Sequence, residues 1–322
     1  MAKETKLFDS FGRHIDYLRI SVTDRCNLRC VYCMPPQGVP WIPHSEILSY
    51  EEIASIVSIA TELGFTKIRL TGGEPLVREG LPNFVRMLLQ IKGIEEISLT
   101  TNGTLLKKYA LELKQSGLRR VNISLDTLKV ERYRYITRLG NLKDVLEGIE
   151  AAQDAGLYPK INIVVMRGIN EDEVLDFARQ TYRGWSVRFI ELMPFTKAAE
   201  YIPARELQQQ IGYLGALEPC FVGGNGPAEY FRLPGARGTI GFIAPMSKPV
   251  CFYCNRMRLT SDGQIRSCLL SDEGIDLKNP LRNNASPQEV KQLILQAVAS
   301  KPKYHPLLEN ISLKSNMSRI GG

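Results

Sequence analysis

A chain of 322 residues with 44% apolar and 23% charged residues is long enough to bury a sizeable core and too long for one minimal domain. No apolar run approaches the roughly 18 residues of a membrane span, and the start Met1-Ala2-Lys3-Glu4-Thr5-Lys6 lacks the apolar core of a secretory leader, so a cytoplasmic protein without membrane contact is expected. Lysine and arginine outnumber aspartate and glutamate by 41 to 34, which favours an anionic partner, but the cations are scattered and not interleaved with aromatics, so nucleic acid is not the expected one.

Along the chain, short β-rich runs alternate with helical periodicity. Strands are predicted over 17–22, 66–70, 96–100, 120–125, 160–165 and 186–191, and helices over 51–63, 81–91, 105–115, 142–155 and 171–181, several of them closing near a glycine such as Gly64, Gly117 or Gly156. Six β/α units imply an α/β fold with a parallel sheet and helices outside. They are too few for a closed eightfold barrel, so a partial, incomplete TIM-type (β/α)6 barrel is expected. One face of these strands is polar: Tyr17, Arg19 and Ser21; Lys67, Arg69 and Thr71; Ser98 and Thr100; Asn122, Ser124 and Asp126; Lys160 and Asn162. Strands buried on both faces should be nearly continuously apolar. The alternation therefore predicts a polar, ligand-filled inner face.

The rhythm breaks after residue 191. A glycine- and proline-rich stretch over 221–241 leads to a second cysteine group and a helix over 287–300. A boundary at 193–201 is expected, separating a barrel core (1–195) from a smaller C-terminal domain (196–322).

Seven cysteines, an odd number gathered mostly in two groups, suit a reducing compartment and metal binding better than disulfides. Cys26, Cys30 and Cys33 form C-x3-C-x2-C, three thiolates where a closed metal site would want four. Iron–sulfur clusters are held by closely spaced thiolates, and three of them leave one iron open. Zinc with a fourth donor is the alternative. Thr71-Gly72-Gly73-Glu74-Pro75 directly follows a predicted strand, a turn at which backbone can approach a ligand closely. Cys251, Cys254 and Cys268 repeat the three-thiolate arrangement, with zinc completed by Cys220 as the alternative. Between them Arg256-Met257-Arg258 sets two cations on one side of an extended run, an arrangement suited to gripping phosphates.

The first triplet, with Tyr32 just before its last cysteine, resembles the signature of the radical S-adenosylmethionine (SAM) enzymes. The resemblance implies a [4Fe-4S] cluster on Cys26, Cys30 and Cys33, with SAM contacted through Tyr32, Gly73, Glu74, Ser124 and Met193. The second triplet, the Arg-x-Arg and the terminal Gly321-Gly322 are similar to one family among them, the GTP 3′,8-cyclases of molybdenum-cofactor biosynthesis, over essentially the whole chain. That resemblance implies a second [4Fe-4S] cluster on Cys251, Cys254 and Cys268. It implies GTP contacts through Arg19, Arg69, Thr100, Lys160, Arg256, Met257 and Arg258, and catalytic roles for Arg256, Arg258, Gly321 and Gly322. An electron donor, and cyclic pyranopterin monophosphate synthase as acceptor of the product, would be the partners, with a homodimer among the allowed assemblies. A radical SAM enzyme acting on a peptide and a zinc-stabilised nucleic-acid-binding protein are the rival readings.

Overall fold

The structure, a computed structural model, describes residues 6–195, 198–224, 226–305 and 317–320. All six predicted strands are present: β1 (Tyr17–Ser21), β2 (Lys67–Thr71), β3 (Glu96–Thr101), β4 (Arg120–Ser124), β5 (Tyr158–Val165) and β6 (Ser186–Glu191). They are joined by α1 (Tyr50–Glu62), α2 (Leu81–Leu89), α3 (Leu106–Gln115), α4 (Val130–Thr137), α5 (Leu142–Asp154) and α6 (Val174–Arg179). The start of α1 is fixed by a capping box in which Ser49 and Glu52 satisfy each other's backbone amides. The predicted helix over 171–181 is instead a short α6 flanked by tight turns at both ends.

The later part of the chain contains α7 (Ala204–Ile211), β7 (Glu218–Pro219), β8 (Glu229–Arg232), β9 (Thr239–Ile243), β10 (Arg256–Leu259), β11 (Gln264–Arg266), β12 (Ile275–Asp276), α8 (Lys278–Arg282) and α9 (Pro287–Ala299). A last helical turn, α10, spans Met317–Ile320. The later strands do not form a separate sheet. The strands form one sheet of order β12-β11-β10-β1-β2-β3-β4-β5-β6-β9-β8-β7. Strand β10 adds to β1 in parallel and β9 adds to β6 in parallel, so the later segment extends both flanks of the first sheet. Free backbone donors and acceptors on those two flanks are the physical reason. Beyond them β11, β12, β8 and β7 pair antiparallel, and the ends do not meet, so the barrel is unclosed.

Alternation along each strand divides the molecule. Leu18, Ile20, Ile68, Leu70, Leu99, Val121, Ile123, Ile161 and Ile163 pack with Ile53, Ile56, Val57, Phe84, Leu88, Val145 and Ile149 of the helices in one continuous core. The residues between them on the strands face the other way. Among the described residues, no helix is long and apolar enough to cross a membrane.

Candidate functional site

The loop after β1 carries Cys26, Cys30 and Cys33, and the turn after β2 and the end of α4 hold it. Gly73 donates its amide to Thr23 O at 2.7 Å and Glu74 its own to Arg25 O at 2.8 Å. A Cβ on Gly73 would stand 2.3 Å from Arg25 O, so only glycine lets the two backbones approach this closely. From the other side, Thr137 O and Ile136 O accept from the amides of Arg29 and Val31 at 3.0 and 2.9 Å. Arg138 closes α4 at a φ of 64° and donates to Arg29 O and Met34 O at 2.7 and 2.9 Å.

Burial pushes the Cys30 thiol well above its ordinary value, and Cys33, Asp126 and Cys26 push it further. Cys26 is raised to about 11, first by burial and then by Glu74. Thiols that repel one another's ionisation in this way release their protons to a metal centre, because metal binding replaces the proton with a stronger charge. The chemistry of this donor set fits an iron–sulfur group. Among the described residues, no group of three or more His, Cys, Asp or Glu is placed to hold a metal ion by itself.

The inner face encloses a cavity of about 260 Å³, to which all eight parallel strands contribute side chains: Tyr17 and Arg19, Arg69, Thr100, Ser124, Asn162 and Val164, Arg188 and Ile190, Ile243, Arg256 and Arg258. Tyr32, Asp126, Met193, Met317 and His305 also line it, as do Cys251, Cys254 and Cys268. A larger, open groove of about 1010 Å³ lies at the other ends of the strands, around Asp16, Thr66 and Glu95, and contains none of the candidate residues.

The cavity is strongly cationic. Register places Arg69, Arg19 and Arg258 side by side on β2, β1 and β10. Burial lowers Arg19 well below its ordinary value, and Arg258 and Arg69 lower it further. Arg258 is lowered to about 10 by burial and then by Arg256, and Arg188 to about 10 chiefly by burial. At Cys254 burial pushes upward, yet Arg256 and Lys301 outweigh it and the thiol falls to about 6. Cations that burial disfavours this strongly call for an anion in the cavity.

Most candidate residues converge here, with exceptions. Tyr32 lines the cavity and donates its hydroxyl to Asp126 Oδ2 at 2.8 Å. Lys160 lies in a small adjoining recess with Arg120, Asn122 and Tyr230, reached past Arg69 and Arg188, and donates to the Tyr230 hydroxyl at 3.3 Å. The Glu74 carboxylate is buried outside the cavity and accepts from Thr101 Oγ1 and from the amides of Asn102 and Leu76. The Met257 side chain is packed in the apolar core beside Leu18, because it alternates with Arg256 and Arg258 on β10. Gly321 and Gly322 lie outside the described residues, but Arg258 Nη1 donates to Ile320 O at 3.5 Å, so the chain just before them reaches the cavity wall. Arg188 and Tyr230 were missed, and Asp126 was read only as part of the polar strand face. Arg188 shares a face of the sixth strand with Ser186, the same polar-face signal read on the first five.

A family model described as the radical SAM superfamily matches residues 20–181, and one described as Molybdenum Cofactor Synthesis C matches residues 185–307. SuiB of Streptococcus suis, solved bound to S-adenosylmethionine, shares the fold with a TM-score of 0.63 at 15% identity, over 94% of this chain and 70% of that one. GTP 3′,8-cyclases of Thermodesulfovibrio yellowstonii, Pelotomaculum thermopropionicum and Moorella thermoacetica are 49%, 53% and 52% identical, over 98% of this chain and 99% of each relative. The chain belongs to the GTP 3′,8-cyclase family of the radical SAM superfamily.

Proposed function

We propose that this chain converts GTP to (8S)-3′,8-cyclo-7,8-dihydroguanosine 5′-triphosphate, the first step of molybdenum-cofactor biosynthesis. The observation that carries the reading is the single cavity whose wall holds Tyr32, Ser124 and Met193 together with Cys251, Cys254, Cys268, Arg256 and Arg258. Cys26, Cys30 and Cys33 would hold one [4Fe-4S] cluster and Cys251, Cys254 and Cys268 the other. When bound, the first cluster and SAM would supply a 5′-deoxyadenosyl radical; the overall change moves the C3′ hydrogen of GTP to 5′-deoxyadenosine, joins C3′ to guanine C8, and consumes one electron and one proton.

The chain's own residues bind and orient. Arg19, Arg69, Thr100, Lys160, Arg256 and Arg258 would hold the nucleotide, the cations through charge-assisted hydrogen bonds to its triphosphate. Met257 would contribute backbone alone. Tyr32, Gly73, Glu74, Ser124 and Met193 would surround SAM, Glu74 by fixing the loop at Asn102. C3′ and C8 are atoms of one GTP molecule, so the cavity would act by restricting the nucleotide to conformers that hold the two atoms close together. Gly321 and Gly322 would complete the site beyond Ile320. Residues 1–195 would form the SAM core and 196–322 the substrate part of a cytoplasmic enzyme. It would draw electrons from an electron donor and pass its product to cyclic pyranopterin monophosphate synthase, as a monomer or a homodimer.

The test is anaerobic incubation of the iron-reconstituted protein with SAM, dithionite and each nucleoside triphosphate in turn, followed by mass spectrometry. Stoichiometric 5′-deoxyadenosine with a cyclised product from GTP alone is expected, with about eight irons per chain. SAM cleavage that leaves GTP unchanged would redirect the substrate to peptides. Zinc without acid-labile sulfide would overturn the reading altogether.

A further inference from the structure

Just beyond α9, Lys301 is only 3% exposed. Its ammonium donates to Arg256 O at 2.7 Å and to Ser267 O at 2.6 Å. Those carbonyls belong to the residue two past Cys254 and the residue just before Cys268. One nitrogen therefore ties together the two backbone segments that present these thiols. Arg13, on the N-terminal segment, reaches the same region with Nη1 on Cys251 O at 2.7 Å and Nη2 on Pro302 O at 2.8 Å, but Arg13 is paired with Asp9 at 2.5 Å. Lys301 has no carboxylate within ion-pair distance among the described residues.

A buried ammonium without an acid is costly unless another negative group faces it. Of the charged groups acting on Lys301, Cys254 and Cys268 favour its charge, whereas Arg256 and Arg13 oppose it. The two carbonyls satisfy two of its donors but none of its charge.

We propose that Lys301 is the positioning cation of the second cysteine site, stapling the segments that carry Cys254 and Cys268 and supplying the fixed positive charge that favours entry of an electron into the group those cysteines hold. The inference rests on the reading that Cys251, Cys254 and Cys268 bind an iron–sulfur cluster. A cluster on three thiolates gains negative charge on one-electron reduction, with no bond made or broken. A neighbouring cation stabilises the reduced form more than the oxidised form, and outer partners of this kind tune cluster potentials.

The experiment uses the full chain with Cys26, Cys30 and Cys33 replaced by serine, so that one cluster signal remains, and compares Lys301→Arg, Lys301→Gln and Lys301→Met. Iron content and the midpoint potential, from a dithionite titration followed by electron paramagnetic resonance, are the readouts. K301R is expected to keep the parent's iron and potential. K301Q, whose amide still reaches carbonyls without charge, and K301M should be about tenfold harder to reduce, about 59 mV for one electron. Loss of iron from K301Q and K301M but not from K301R would support the same role. Unchanged potentials in K301Q and K301M, or loss of iron from K301R as well, would overturn it. A parent protein without about four irons would instead sink the cluster reading on which the inference stands.

Discussion

The carboxyl of Glu74 is fully buried and accepts from Thr101 Oγ1 at 2.7 Å, Asn102 N at 2.6 Å and Leu76 N at 3.0 Å. Burial raises its pKa and the three donors lower it; burial wins, and the group titrates at about 7, against 4.5 for an ordinary glutamate. The native state therefore holds this proton more tightly than the unfolded chain does. Stability is unpenalised below the unfolded value and is lost as pH rises toward the folded one, by about 3 kcal/mol for a shift of this size. Urea unfolding of the iron-free protein between pH 4.5 and 8 checks this against Glu74→Gln: the wild type should lose ground to the variant as pH rises. Parallel curves would show that the donors, and not burial, govern the group. At this scale the sequence was most informative where chemistry imposes spacing or alternation. The two cysteine triplets were legible as spacing, and Arg19, Arg69, Thr100 and Ser124 as the polar side of strands. Lys301 carries no such mark, because one lysine after a helix reads as solvent-facing until burial and two carbonyl partners are seen.

At the scale of elements, the pairings that matter most are the parallel additions of β10 to β1 and β9 to β6, which join segments far apart in the chain. Local pattern marked Arg256-Met257-Arg258 as extended but could not supply its partner, since long-range register depends on tertiary packing. Helix α4 was missed because its sequence, Val-Glu-Arg-Tyr-Arg-Tyr-Ile-Thr, is largely polar and has no side-chain cap, although its C-terminal end supports the Cys26–Cys33 loop. The β1–β10 register has an electrostatic consequence. Arg19 faces Arg69 on one neighbour and Arg258 on the other, and like charges directly opposite one another destabilise a sheet. Arg19→Gln should therefore raise the unfolding temperature of the ligand-free protein while weakening its stabilisation by GTP. For the wild type that stabilisation is about 2.7 kcal/mol at one hundred times the dissociation constant. Thermal unfolding with and without GTP measures both effects. A variant that is less stable when empty and shifts as much as the wild type with GTP would contradict the argument.

For the whole molecule, the sheet has no seam at the boundary expected near residue 195. Both flanks of the first six strands are covered by later ones: Met257 and Leu259 lie beside Leu18 and Ile20, and Ile240 and Phe242 beside Val187 and Phe189. The Phe189 and Phe242 rings stack at 5.9 Å. A fragment ending at residue 195 would expose two long, unpaired strand edges with apolar side chains that are buried in the full chain. The fragment 1–195 is therefore expected to aggregate or to unfold without a cooperative transition, and co-expression of 196–322 should recover a soluble complex. Size-exclusion chromatography and thermal unfolding of the fragment, alone and with its complement, test this. A monodisperse fragment with a sharp transition would show that the two parts fold independently and that β9 and β10 merely dock. If the fragment fails alone, the wall that carries Arg256 and Arg258 is built into the same folding unit as the strands that carry Arg19, Arg69 and Ser124. The distances across the cavity are then set by backbone hydrogen bonds and not by a hinge between domains.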